Sequence, residues 1–373
     1  MLFAAGIVCT TPLGVHAQSR QLQDTDQLSL AKVLSATPHG SALIPGTNVN
    51  SESQTLTAVI LSGPEKGRTP TFENDYTQLK PGDHFYIRHI TSVNDGTDLW
   101  SVSDPYRLPV IYIVAGIFLV LLILIGGVQG LRGLISLIGS IVLILYILLP
   151  NIYAGHSPIL ISIGVAGLII ILGSYITHGF TRTTTSAMLG MLATVLIVGA
   201  STFAAIHFAH LSGFTDENNV YLNFNTNGRI SMIGLLFGGI MIGLLGVLYD
   251  IAIGQAVAVE ELYLAGRHYT QPQVFKRAMR IGREHIGALV NTLAIAYVGS
   301  ALPLLLLFRE TNAGVDFVLN SEIFATELIR ILMGSIGLVL AVPITTLIAV
   351  YLLRGVKSPS GGHSHSHSND SAH

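Results

Sequence analysis

The sequence predicts an α-helical polytopic membrane protein with about seven transmembrane helices, preceded by a small all-β extracytoplasmic domain that is an OB-like barrel or a sandwich. Three observations predict it. Half of the 373 residues are hydrophobic and 11% are charged, against about 25% in a soluble domain, and the mean hydropathy is +0.61. The charge is unevenly placed: residues 1–107 hold 7 Lys/Arg and 10 Asp/Glu, whereas residues 108–215 hold only Arg132 and Arg182. Apolar runs of about 20 residues, the length that crosses about 30 Å of hydrocarbon, recur from Leu108 onward. This composition excludes an ordinary soluble globule and a disordered chain. A formal net charge of −2 gives no basis for nucleic-acid binding.

Residues 1–17 read as a signal peptide or an uncleaved signal anchor. An apolar run is followed by Pro12 and by Val15-His16-Ala17, small residues that suit cleavage after Ala17, although no basic residue precedes the run. The single cysteine, Cys9, allows neither an intramolecular disulfide nor a cysteine metal site. Residues 18–107 form the β domain. Leu30–Leu34, Thr55–Leu61, His84–Ile90 and Leu99–Val102 have strand character. Gly63-Pro64, Pro81-Gly82-Asp83 and Asn94-Asp95-Gly96 mark turns, and about five strands result. The stretch 37–53, rich in Ser, Pro, Gly and Asn, reads as a loop. Phe85, Ile87 and His89 share one face, and His84 and His89 read as strand residues in preference to metal ligands. Trp100, Tyr106 and Tyr112 are placed where the chain meets the bilayer, as interfacial anchors.

Residues 108–355 form the helical bundle. The spans are Leu108–Ile125, Leu134–Pro150, Ile159–Ile176, Ser186–Ala209, Ile230–Tyr249, Ile286–Phe308 and Leu328–Leu353, with a loop at 126–133. One set of connecting loops carries Arg132, Arg182, Arg267, Lys276, Arg277, Arg280, Arg283, Arg354 and Lys357; the other carries Arg229, Arg309 and Arg330. The excess of positive charge belongs in the cytoplasm, which puts residues 18–107 outside the membrane and the C-terminus inside. Residues 356–373 are a disordered, His-rich cytoplasmic tail. There His363, His365 and His367 could hold a divalent metal only weakly, without fixed geometry.

The polar residues inside the bundle carry the functional reading. Residues 230–259 contain one charge, Asp250, in about 45 Å of helix. The helix must tilt, break near Gly254, or emerge with Asp250 at the interface. Asp250, Gly254, Val257 and Glu261 fall on one helical face, with the two carboxylates about 16 Å apart along the axis. An ionisable group in a membrane segment is costly and calls for a function; the alternative is a headgroup-level cap beside ordinary cytoplasmic charges. Asn291 and Thr292 enter the sixth span, and Pro303 interrupts it as Pro343 interrupts the seventh. Prolines free backbone carbonyls, and interrupted spans line sites in transporters. Gly234/Gly238 and Gly239/Gly243 have small-xxx-small spacing, which suits packing within one chain or a dimer. Thr270-Gln271-Pro272-Gln273 reads as a capping box opening an amphipathic helix. Its Lys276, Arg280 and Arg283 would contact anionic lipid or a cytoplasmic partner.

No Walker motif, zinc-helix motif or serine nucleophile elbow is present. Tyr249-Asp250 resembles half of an intramembrane aspartyl protease site, but spans six and seven supply no second aspartate. The reading is therefore not an enzyme, and no cofactor is implied. Gly246-Val247-Leu248-Tyr249-Asp250-Ile251-Ala252, Glu260-Glu261-Leu262, the run Arg280–Gly287, Asn291-Thr292-Leu293 and the run Ala296–Leu304 resemble the YibE/F family of bacterial multi-pass membrane proteins. The resemblance extends over most of residues 28–355, including the Pro81-Gly82-Asp83 turn of the longer members. It departs at Gly254-Gln255, where a serine-rich stretch is more usual. It implies a membrane protein and, because short and long members can be encoded side by side, a second YibE/F subunit or a second copy as partner. It implies no particular chemistry. The leading expectation is a transporter or permease-like component with an intramembrane acidic site formed by Asp250, Glu261, Asn291, Thr292 and Pro303. The alternatives are a non-transporting scaffold anchoring the outer domain, or a permease subunit needing a separate ATPase docked at 272–283.

Overall fold

The computed structural model describes residues 25–43, 50–92, 96–266, 268–310 and 314–355. The signal segment, Arg267 and the histidine tail lie outside the described residues. The chain divides into two units, 1–120 and 121–373.

The first unit is an antiparallel half-barrel of five strands: β1 (Thr25–Leu43), β2 (Asn50–Ile60), β3 (Thr71–Asn74), β4 (His84–Thr91) and β5 (Asp98–Pro105), in the order β3-β2-β1-β4-β5. Alternation builds its core, because successive side chains of a strand point to opposite faces. Ala31, Val33, Leu56, Ala58, Ile60, Phe72, Phe85 and Ile87 all point inward. The expected loop over 37–53 is largely strand instead. Thr37 pairs with Thr55 and Leu43 with Asn50, and Pro38 is accommodated at a register shift before Gly40, where a residue without an N–H is tolerated. Trp100, expected as an interfacial anchor, makes contacts within this unit. It stacks on His89 at 3.7 Å with Arg68 5.1 Å above its ring. His89 Nε2 and Thr91 Oγ1 bond Asp98 Oδ1 at 2.9 and 3.0 Å, and Arg68, from the β2–β3 turn, reaches Asp98 Oδ2 at 3.2 Å. The hydrogen bonds from His89 and Thr91 hold the Asp98 carboxyl below its ordinary range. This clasp joins the start of β5 to the turn leading into β3.

Helices α1 (Leu108–Leu143) and α2 (Leu149–Tyr153) join through a π-helical turn, Ile144–Leu148. The expected loop at 126–133 reduces to one residue, Gly127, at φ 53° and ψ −140°, a region open to glycine. The run Leu108–Tyr153 is 46 residues, about 69 Å at 1.5 Å per residue, or more than twice the hydrocarbon thickness. There follow α3 (Pro158–His178), α4 (Arg182–Phe208), α5 (Glu217–Asn225), α6 (Met232–Ala265), α7 (Gln271–Ser300), α8 (Leu302–Glu310), α9 (Val315–Asn320) and α10 (Glu322–Leu352). Among the described residues, five helical segments are long and apolar enough to cross a membrane, and α7 with α8 makes a sixth candidate bent by 63°. These apolar helices make this a membrane protein.

α6 is the central helix, packed on α3, α4, α7 and α10, and it runs unbroken through Gly254. Its first glycines serve packing inside the chain. A Cβ on Gly234 would lie 3.0 Å from Pro158 of α3, and one on Gly238 would strike Ser162. α7 differs from expectation in being one helix. Thr270 N donates to Gln273 Oε1 at 2.9 Å as the capping box requires, but the amphipathic segment continues directly into the sixth span. Its Val274, Ala278 and Gly282 are buried inside the protein, so that stripe of the segment faces the core and not lipid.

Candidate functional site

The site begins with the placement of α6. Ser231 caps the helix, accepting from Gly234 N at 3.1 Å. Leu244, Leu248, Ile251, Gln255 and Val259 then turn into the bundle core, each within 7% of full burial. The 3.6-residue period leaves Gly246, Asp250, Gly254, Val257 and Glu261 on the opposite, exposed face. Asp250 is 18 residues past Met232 and 15 before Ala265, well inside the helix. Among the described residues it has no hydrogen bond or ion pair.

Asp250 lines two cavities. The larger, about 510 Å³, lies between α1, α3 and α6 and is walled by Ser136, Ser140, Gly173, Thr177 and Tyr249 among others. Tyr249 Oη donates to the Gly173 carbonyl at 3.1 Å. Gly173 permits this crossing: a Cβ there would sit 3.1 Å from Ser136 Oγ and 3.8 Å from the Tyr249 ring. Ser140 Oγ donates to the Ser136 carbonyl at 2.9 Å, so its lone pairs remain for the cavity. His178, at the end of α3, stacks on Tyr249 at 5.9 Å, and its Nδ1 accepts from Gln129 Nε2 at 3.2 Å. The smaller cavity, about 210 Å³, lies between α6 and α7 and is walled by Asp250, Gly254, Gln255, Ile281, His285 and Leu289. Gln255 Nε2 donates to the Ala278 carbonyl at 2.8 Å and fixes that wall.

The other sequence candidates fall elsewhere. Glu261 is exposed on the Asp250 face but lines neither cavity, and it lies about three helical turns away. Asn291 and Thr292 are exposed on α7, with Thr292 Oγ1 donating to the Ala288 carbonyl at 2.9 Å, and neither lines a cavity. Pro303 is the second residue of α8, just past the 63° bend, and it lines neither cavity. Lys276, Arg280 and Arg283 are exposed and, among the described residues, without an ion pair. His363, His365 and His367 lie outside the described residues. Among the described residues no group of three or more His, Cys, Asp or Glu could hold a metal ion. Sequence reasoning missed His285, His178, Tyr249 and the Ser136/Ser140 pair as companions of Asp250. The available signals were an i,i+4 serine pair on an otherwise apolar helix, and His285 one turn beyond Ile281 on a helix neighbouring α6.

The sequence model of the YibE/F-like protein family matches residues 114–355. The chain belongs to the YibE/F family. The match begins in α1 and ends past α10, so it contains both cavities and leaves the half-barrel and the tail outside. The likeness of the Pro81-Gly82-Asp83 turn to longer YibE/F members therefore falls outside the matched region. No curated protein and no solved structure matches the chain.

Proposed function

We propose that this YibE/F protein is a permease-like component of a bacterial cell membrane in which Asp250 is the ion-binding group. The observation that carries this reading is the position of one unpartnered carboxylate, deep in a 34-residue apolar helix, on the shared wall of two cavities. A lone acid in such a segment is expensive to keep, and cavities on two sides give it two routes of exchange. In this reading the 46-residue run crosses twice, turning at Gly127, and α7–α8 is one bent span. With α3, α4, α6 and α10 that makes seven spans. The half-barrel, whose β1 pairs with both β2 and β4 and whose edges are clasped by Arg68 and Asp98, is an OB-like extracytoplasmic domain. The C-terminus is cytoplasmic, and Lys276, Arg280 and Arg283 meet anionic headgroups of the inner leaflet.

Purified protein in proteoliposomes tests this reading. Ion flux above that of empty vesicles should be present in wild type and lost in Asp250→Asn, while Glu261→Gln should behave as wild type. Flux indifferent to Asp250→Asn would end the claim and favour a scaffold that anchors the outer domain.

A further inference from the structure

We propose that the species Asp250 takes up is a proton, and that His285 exchanges it across the groove between α6 and α7. This inference rests on the reading of Asp250 as an ion site and names its cargo.

The oxygen supply argues against a hard metal cation. Calcium takes six to eight oxygen ligands at roughly 2.3–2.6 Å, and magnesium requires a near-ideal octahedron. Asp250 is the only carboxylate lining either cavity. The remaining side-chain oxygens of the larger cavity are hydroxyls, on Ser136 and Ser140 of α1, Thr177 of α3 and Tyr249. The smaller cavity offers, besides Asp250, only Gln255 and His285 as polar side chains, so a hard cation would find one amide oxygen there beyond the carboxylate. A proton needs no coordination shell. It needs one acceptor and neighbours that titrate in the physiological range, which imidazole does unperturbed.

One imidazole shares a cavity with Asp250. His285 shares the α6–α7 groove with it and has no hydrogen bond or ion pair among the described residues, so both ring nitrogens are open to exchange. His178 lines neither cavity and stacks on the ring of Tyr249. The titratable or charged groups within two residues of the lining positions are Arg132 and Tyr146 beside the α1 lining, Tyr175 and His178 beside Thr177 on α3, and Arg280, Arg283 and Glu284 on α7. α4 and α10 pack on α6, and no residue of either lines the two cavities beside Asp250. In the exchange, the O–H bond of the Asp250 carboxyl breaks and an N–H bond forms on His285. A neutral acid and a neutral imidazole become a carboxylate and an imidazolium, with no redox change.

The test is labelling of position 250 by dicyclohexylcarbodiimide, which attacks protonated carboxyls in apolar surroundings. The full chain in liposomes is read by mass spectrometry between about pH 5 and pH 9, with and without saturating sodium, calcium or manganese. The expected result is labelling that falls at least about tenfold from the acid to the alkaline end and is untouched by each metal. In His285→Gln, labelling should persist to higher pH by about one unit, because a nearby imidazolium favours the carboxylate. His285 is exposed, so glutamine disturbs no packing; His285→Asn serves if the first variant is not recovered. Suppression of labelling by a metal at fixed pH, or the same pH dependence in the His285 variant, would overturn the proposal. Metal suppression together with Asp250-dependent flux would leave the permease reading standing without the proton. The expected labelling together with no Asp250-dependent flux would do the reverse.

Discussion

The contact between α4 and α10 makes a sharp stability prediction at Gly190. A Cβ built there would lie 2.9 Å from both Cα and Cβ of Thr345 and would strike its hydroxyl. Two of those atoms belong to the backbone or are fixed to it, so the helices themselves must separate by about 0.5–1 Å to reach ordinary van der Waals distance. Gly190→Val adds three carbons at this point. Overpacking of this kind costs about 1–3 kcal/mol, offset by a gain of only a few tenths of a kcal/mol in helix propensity over glycine. A net loss of about 2 kcal/mol is expected, which for the unit that holds both helices lowers the midpoint by about 4 °C. Gly239→Val is the matched control, since nothing lies within 4 Å of its Cβ position, and it should melt within about 2 °C of wild type. The assay is the fraction remaining monodisperse by size exclusion after heating in detergent. If the two variants melt alike, the close approach of α4 and α10 at Gly190 is refuted.

Other consequences follow from the clasp and the loop anchors. Trp100 is the chain's single tryptophan and stacks on His89, so its fluorescence reports the clasp in the full-length protein. The Asp98 carboxyl is held below the ordinary aspartate value of 3.8 by the hydrogen bonds from His89 and Thr91. Its stabilising effect is therefore complete above that pH and is lost as pH falls through the lower folded value. Asp98→Asn should weaken the half-barrel at pH 7, and the difference from wild type should shrink only once pH has fallen below 3.8 and vanish below the lowered folded value; a difference already lost above pH 3.8 would contradict the clasp. Glu322 Oε1 accepts from Ser212 N at 2.7 Å and Gly213 N at 2.9 Å, fixing the segment after α4 to the start of α10. Glu322→Ala should cost about 1 kcal/mol, read as a fall of about 2–4 °C in the same heating assay. Replacing Lys276, Arg280 and Arg283 by Gln should lower the anionic lipid that co-purifies with the protein from mixed bilayers, by about 1 kcal/mol per charge, without changing the neutral lipid retained. Unchanged anionic lipid would point to a protein partner instead.

Much of this architecture could be read in the sequence because membrane crossing leaves a local signature. Runs such as Ile159–Ile176 and Leu328–Leu353 announce themselves by length and apolarity, and both lie within helices. The alternation of Phe85, Ile87 and His89 likewise fixed the inward face of β4. What failed was punctuation. Pro38, Gly40 and the serines of 37–53 have turn chemistry, yet strand pairing and a register shift absorb most of them. Gly126-Gly127 reads as a loop, but a single residue in the left-handed region suffices to break the helix. The Thr270 cap was correct, and the missing information was that no second boundary follows it before Ser300. The site was legible only in part. Asp250 stands out because a charge in an apolar run needs no partner to be conspicuous. His285, Tyr249 and Ser136 become its neighbours only through the packing of α1, α3 and α7 around α6, and no spacing within one helix encodes that. Glu261 shows the converse: a shared helical face places two carboxylates in line, not together.

The central claim is that position 250 is inside the membrane domain, on the shared wall of the two cavities. The most direct measurement is thiol accessibility with Cys9 replaced by serine and a single cysteine introduced as Asp250→Cys or Glu261→Cys. A bulky, membrane-impermeant maleimide added from the cytoplasmic side should label position 261 at least about tenfold faster than position 250 (about 1.4 kcal/mol of differential access), while a small aqueous thiosulfonate reaches both. Equal, rapid maleimide labelling of the two would place Asp250 in the cytosol and contradict the account.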